Sequence, residues 1–171
     1  DGPRDVGNSG RRIAALQAGN PTDEARRTVQ INGANRYVVP GLIDIHTHVA
    51  YGATTPGVGM GGVDPDVGGL GSGVTTVVDA GSVGIANVGV FGAHILPKAR
   101  TRVICYVNVG TFAHTTPAAA DVARLEEVDR TAIASCGAAN PGLISGFRLR
   151  LGGPLIQADA HRVVRLARRI A

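Results

Sequence analysis

His46 and His48, separated by Thr47, are the side chains of this sequence best suited to chemistry. On a β-strand successive side chains point to opposite faces, so Asp44, His46 and His48 would share one face while Ile43, Ile45 and Thr47 take the other. Two imidazoles then stand side by side where the strand ends, and neutral imidazole is the commonest metal ligand among side chains. The plainer reading is a histidine pair with no ligand role. The apolar run before the pair and the Pro40-Gly41 turn favour ligands.

The remaining candidates carry less. Asp79 closes a second apolar run and suits a hydrogen-bond acceptor or, preferably, a cap for the following helix. His114, after a third run, is a candidate substrate contact or an exposed loop residue; His94 and His161 fall in helical segments and read as surface or packing residues. Gly57, Gly59 and Gly62 satisfy a GxGxxG pattern, but they begin nine residues after His48 and lead into the turn Val63-Asp64-Pro65-Asp66. A dinucleotide fingerprint follows its strand at once and opens a helix, so nucleotide binding is disfavoured. No Gly-X-Ser-X-Gly elbow is present, which leaves a serine hydrolase without a nucleophile. Cys105 and Cys136 make neither a ligand spacing nor a disulfide framework and are expected to be small buried hydrophobes.

The elements that must position the histidines follow from the apolar pattern. Four β-rich runs, 38–49, 74–79, 102–109 and 143–149, are separated by helical or Gly-rich segments. Helical spacing places Val122, Leu125, Val128 and Ile133 on one helix over 118–136, stopped by Gly137, and a last helix spans 158–171. Parallel neighbours need a long crossover, so this alternation predicts βα units and a parallel sheet. Half of an eight-stranded barrel and a doubly wound sheet fit the count equally. In a barrel, the inward face at the C-terminal strand ends is where active sites are built. Before residue 37 the text is polar, with turns at 7–10 and 19–21 flanking the short runs 12–16 and 28–31, which suits a small β unit.

Composition narrows the partners. At 171 residues, 44% hydrophobic and 18% charged, the chain has an ordinary globular make-up. Its longest apolar stretch, 83–96, is interrupted by glycine, Asn87 and His94 and is shorter than the roughly 18 residues of a membrane span. No membrane association is expected. The net charge of +4 comes from scattered arginines, apart from Arg162, Arg165, Arg168 and Arg169 on the last helix. With three Phe, three Tyr and no Trp there is no stacking platform for bases, so no nucleic-acid partner is expected. The sequence opens on Asp1 and carries no leader pattern; it reads as a piece of a longer, cytoplasmic protein. Lys98 is the only lysine among 17 basic residues.

Several segments together resemble a known family. Val39-Pro40-Gly41-Leu42-Ile43-Asp44-Ile45-His46-Thr47-His48 looks like the first barrel strand of the amidohydrolase superfamily. Gly62-Val63-Asp64-Pro65-Asp66, the run 73–82 ending in Asp79-Ala80-Gly81-Ser82, Thr101-Arg102-Val103 and Asn140-Pro141 are similar to its dihydroorotase-like deacetylase branch. The resemblance implies an α/β fold: part of a small β-sandwich over 1–36, then the N-terminal half, about four βα units, of a (β/α)8 TIM barrel over 37–171. It also implies a metal-dependent hydrolase of an amide or acyl-ester bond that acts on a small acylated substrate through a metal-activated water. A cyclic-amide hydrolase of the dihydroorotase or hydantoinase kind, and a non-catalytic fragment or pseudoenzyme, are the alternatives. His46 and His48 would be metal ligands and His114 a substrate contact.

Two departures from the family pattern matter. Arg148 stands on the fourth run where the family has a metal-bridging carboxylated lysine. A guanidinium stays cationic and offers only donors, so one divalent ion, zinc by family habit, is expected rather than two. A complete barrel needs about 250 residues. The chain as it stands is therefore expected to be incomplete and inactive, and to associate with itself through exposed barrel edges.

Overall fold

The computed structural model describes residues 4–10, 12–19, 29, 31–53, 62–110, 122, 125–150 and 153–170. The chain divides into two compact units, Asp1–Val39 and Pro40–Ala171. In the first, β1 (Asp5–Ser9) and β2 (Arg12–Gln17) form an antiparallel hairpin with Asp5 opposite Gln17. Gly10 lies in its turn at φ 61°, a left-handed conformation that suits glycine. Of the strand expected over 28–31, Val29 and Ile31 are described and belong to no strand.

The second unit is built on four parallel strands, β3 (Leu42–Thr47), β4 (Val74–Gly84), β5 (Arg102–Asn108) and β6 (Ile144–Arg148). They lie in the order β3-β4-β5-β6, each beside its predecessor. A doubly wound sheet reverses direction at a switch point, whereas a barrel adds strands in sequence. The ambiguity left by periodicity is thus removed, and the sheet is part of a (β/α)8 barrel.

The crossovers differ in detail from their expected form. Between β3 and β4 the segment read as a turn is a short helix, α1 (Pro65–Gly68), with Pro65 in its first turn; the Asp64 carboxylate caps it by accepting the Asp66 N–H at 2.8 Å. Asp66 reaches onward to the entry of β5, where its carboxylate accepts Thr101 N–H at 2.7 Å and Arg100 N–H at 2.9 Å. The Thr101 bond is the first reason that the Asp66 carboxyl sits below the usual carboxylate range. Two segments that carried the family resemblance therefore meet.

Between β4 and β5 the chain makes a wide helical turn over Phe91–Ile95, in which Leu96 N–H donates to the Phe91 carbonyl at 2.9 Å. The helix expected over 118–136 is shorter and later. Its first part lies outside the described residues, and α2 (Arg130–Ala139) begins where the Asp129 carboxylate accepts Ala132 N–H at 2.9 Å. Gly137 does not stop it. The last helix, α3 (Gly153–Ile170), starts five residues before the expected Ala158.

Two apolar clusters hold this unit together. Val77, Cys105 and Val107 pack one face of the sheet against Val49, Val83, Val88, Phe91 and Ile95. Val109, Val122, Val128, Ile133 and Val163 form the second, which seats α2 and α3. By contrast β3 is exposed: Ile43 and Ile45 are 61% and 77% accessible. Among the described residues no helix is long and apolar enough to cross a membrane.

Candidate functional site

The C-terminal ends of the four parallel strands gather the polar residues. His48 follows β3 directly, Asp79 and Ser82 lie in the last part of β4, Asn108 ends β5 and Arg148 ends β6. This is the end at which a barrel builds its site.

The two histidines come together as their spacing implies. Their ring centroids are 5.7 Å apart and the rings meet edge to face, with His46 exposed and His48 half-buried. Thr47 between them turns the other way and donates its hydroxyl to the Val78 carbonyl at 3.0 Å. Asp44 does not join them as a plain neighbour on the same face. The pairing of β3 with β4 shifts register between Asp44 and Thr47, and the Asp44 carboxylate folds back to accept the His46 N–H at 3.0 Å.

Asp79 caps no helix, contrary to the expectation. It is fully buried, and donors meet both of its oxygens: Val49 N–H at 2.7 Å and the Ser82 hydroxyl at 2.6 Å on Oδ2, and Ser82 N–H at 2.7 Å on Oδ1. Ser82 in turn lies 3.0 Å from His48 Nδ1. Gly81, between Asp79 and Ser82, has φ +79°, and a Cβ there would come within 3.2 Å of Asn108 N and 3.3 Å of Arg148 Cδ. That tight turn fixes Ser82 beneath the histidine. Sequence reasoning missed Ser82; the signal available was its place at the end of the Asp79-Ala80-Gly81-Ser82 segment.

Arg148 reaches from β6 across to β4, where its Nη1 donates to the Ala80 carbonyl. The guanidinium is engaged as a donor, as its chemistry requires. His114 lies outside the described residues. His94 and His161 are exposed on helical segments, and Lys98 is exposed before β5.

Two imidazoles match two of the four positions that zinc fills in a tetrahedral site. Among the described residues no group of three or more His, Cys, Asp or Glu converges to complete such a set. A cavity of about 460 Å³ lies between α3 and the segment leading into α2 and is lined by Arg130, Arg162, Arg165 and Arg169 with Leu125 and Glu126; it includes neither histidine. A smaller one of about 150 Å³ is bordered by Tyr51, Asp64 and Lys98. There Asp64 accepts a side-chain hydrogen bond from Tyr51 and raises its hydroxyl above the usual range.

Cys105, paired laterally with Asp79 on β5, is buried. Burial pushes its thiol from the ordinary 9.0 up to about 12, with the nearby Asp79 charge and Cys136 adding to the effect. The thiol stays neutral in the folded chain while the unfolded chain ionises above pH 9.0. The unfolded state then binds fewer protons, so this contribution is intact below pH 9.0 and is lost progressively up to about pH 12. Unfolding free energies from urea titrations across that window should fall for the native sequence, by up to about 1.4 kcal/mol per pH unit, and stay flatter in Cys105→Ala.

No family model matches the chain. It is 30% identical over 162 residues to a deacetylase of Agrobacterium fabrum, covering 92% of this chain and 36% of that protein. To a deacetylase of Brucella anthropi it is 29% identical over 146 residues, 83% of this chain and 34% of the relative. The chain thus spans about a third of the length of these curated relatives. Its fold is similar to the crystal structure of a dihydroorotase, with a TM-score of 0.72 and 27% identity over 94% of this chain and 41% of the other. An adenine deaminase structure superposes with a TM-score of 0.76 and 26% identity, covering 98% of this chain and 43% of that one.

Proposed function

Sequence and fold both point to the amidohydrolase superfamily, and from that premise we propose that this chain carries part of the active site of a metal-dependent hydrolase of amide or acyl-ester bonds. The reaction class is deacetylation of a small acylated substrate. The observation that carries it is the pair of imidazoles, 5.7 Å apart at the end of β3. His46 and His48 would hold one divalent ion, with zinc the expected metal. Such an ion, when bound, lowers the pKa of a water toward about 7 and polarises a facing carbonyl.

Arg148 argues for one ion rather than two, since its side chain cannot bridge metals and adds positive charge at the end of β6. The likeness to a dihydroorotase supports a second reading, a cyclic amide as the bond cleaved. Because His46 and His48 supply two donors, the 171 residues alone are expected to leave an N-acetyl amino acid intact when zinc is added. We also assign the segment 1–36 to a flanking β-sandwich, and expect the exposed Leu42, Ile43 and Ile45 of β3 to promote self-association.

Zinc titration of the purified chain by calorimetry tests the central assignment. The native chain should take up one equivalent, and His46→Ala combined with His48→Ala should weaken binding by about 100-fold or more, beyond the 10–100-fold typical of losing an outer-shell partner. Unchanged zinc affinity in the double variant would remove the histidine pair from any metal site.

A further inference from the structure

The arginines that the hydrolase reading leaves unused converge on one cavity. It holds about 460 Å³ between α3 and the segment leading into α2, a volume in the range of small-molecule sites. Arg165 and Arg169 border it from α3, one helical turn apart, and Arg130 borders it from the first position of α2. Arg162 is also at its edge, with an interaction of its own. Glu126 is the one carboxylate among the described lining residues, while Leu125, Val128 and Leu166 supply apolar wall. Val163, wholly buried, and Leu166 seat α3 on the second apolar cluster, so the core fixes which face of the helix carries Arg165 and Arg169 to the cavity.

This grouping works against the fold. Like charges four residues apart on a helix repel, as Arg165 and Arg169 do, and a cation in the first turn of a helix, as Arg130 is, opposes the helix dipole. The Asp129 cap offsets part of the second cost. Of the three, Arg169 lies in a last turn, where the dipole favours a cation. We propose that the cavity binds a small organic phosphate, with its phosphate group held by Arg130, Arg165 and Arg169 and its apolar part against Leu125, Val128 and Leu166. A guanidinium offers a fork of donors that matches phosphate oxygens two at a time, and three such forks suit a dianion with three terminal oxygens better than a single carboxylate. The cavity is larger than a phosphate group alone would fill, which leaves the apolar wall for the rest of the ligand. Its described lining includes none of the strand-end residues, so the proposal stands whether or not the hydrolase reading holds.

Phenyl phosphate titrated into the full chain, followed by calorimetry and by heat denaturation, tests the site. One equivalent should bind and raise the melting temperature. Arg165→Gln combined with Arg169→Gln should weaken binding by about 100-fold, on the order of tenfold for each charged donor lost. Both side chains are exposed, so this variant should keep the fold, which circular dichroism checks. Arg168→Gln, on the same helix but not among the residues bordering the cavity, should leave the affinity unchanged. An equal loss in Arg168→Gln would reduce the effect to the diffuse field of a basic helix and overturn the proposal. Benzoate binding as tightly as phenyl phosphate would overturn the choice of phosphate, and single-stranded DNA binding more tightly than either would make this a nucleic-acid surface instead. No binding of phenyl phosphate to the native chain would end the proposal outright.

Discussion

Asp79→Ala is expected to lower the stability of the chain by about 3 kcal/mol or more. The side chain is fully buried, and its removal strands two backbone N–H groups and a hydroxyl that have no water to turn to. An unsatisfied buried donor costs about 1–3 kcal/mol, and bonds to a charged acceptor are about twice as strong as neutral ones. Because a domain of this kind is held by only about 5–15 kcal/mol, the loss takes a large share of the total. Asp79→Asn should be milder, since the amide oxygen still accepts, although its NH2 group then faces a donor. Urea denaturation followed by circular dichroism measures both, and a loss under about 1 kcal/mol for Asp79→Ala would show that these hydrogen bonds are replaced rather than broken.

The same residue marks the boundary of what could be read without coordinates. The alternation of strands and helices was legible because parallel strands must be joined by crossovers, and the His46/His48 pair was legible because strand geometry acts at a separation of two residues. Asp79 was recognisable as a strand-end carboxylate but was assigned to the wrong partner. Its role depends on the Val49 N–H, 30 residues earlier in sequence, and on a glycine turn that folds Ser82 back under it. Local pattern has no access to either. The β4 strand was ended too early for the same reason: Ala80-Gly81-Ser82 resembles a loop by composition, yet tertiary pairing carries the strand to Gly84 beside Asn108. The start of α2 shows the reverse case. There the capping signal, Asp129 three residues before Ala132, is local and visible, but apolar spacing from 118 onward masked it. Choosing a barrel over a doubly wound sheet needed the lateral order of the strands, which no single strand encodes.

Phe91→Ala is the second substitution with a large expected effect, about 3–5 kcal/mol of stability. Among the described residues Phe91 is the largest fully buried side chain, and it lies in one cluster with Val49, Val77, Cys105 and Val107. Truncation to Ala removes most of an aromatic ring from a close-packed interior, so the cost combines lost transfer energy with a cavity that its neighbours only partly close. The backbone adds a constraint, because the wide turn closed by Leu96 N–H on the Phe91 carbonyl fixes where the ring enters the core. Phe91→Leu, which keeps more of the volume, should cost about 1.5 kcal/mol or less. The effect should also travel to the strand ends. Val49 shares this cluster and donates the N–H that Asp79 accepts, so loosening the core frees one of the bonds that steady His48. Urea midpoints for the two variants, read beside the imidazole signals of His48, test both steps. If Phe91→Ala lost the predicted stability while the His48 signals stayed native, packing and site would be independent, and the anchoring of Asp79 through Val49 would be the step to abandon.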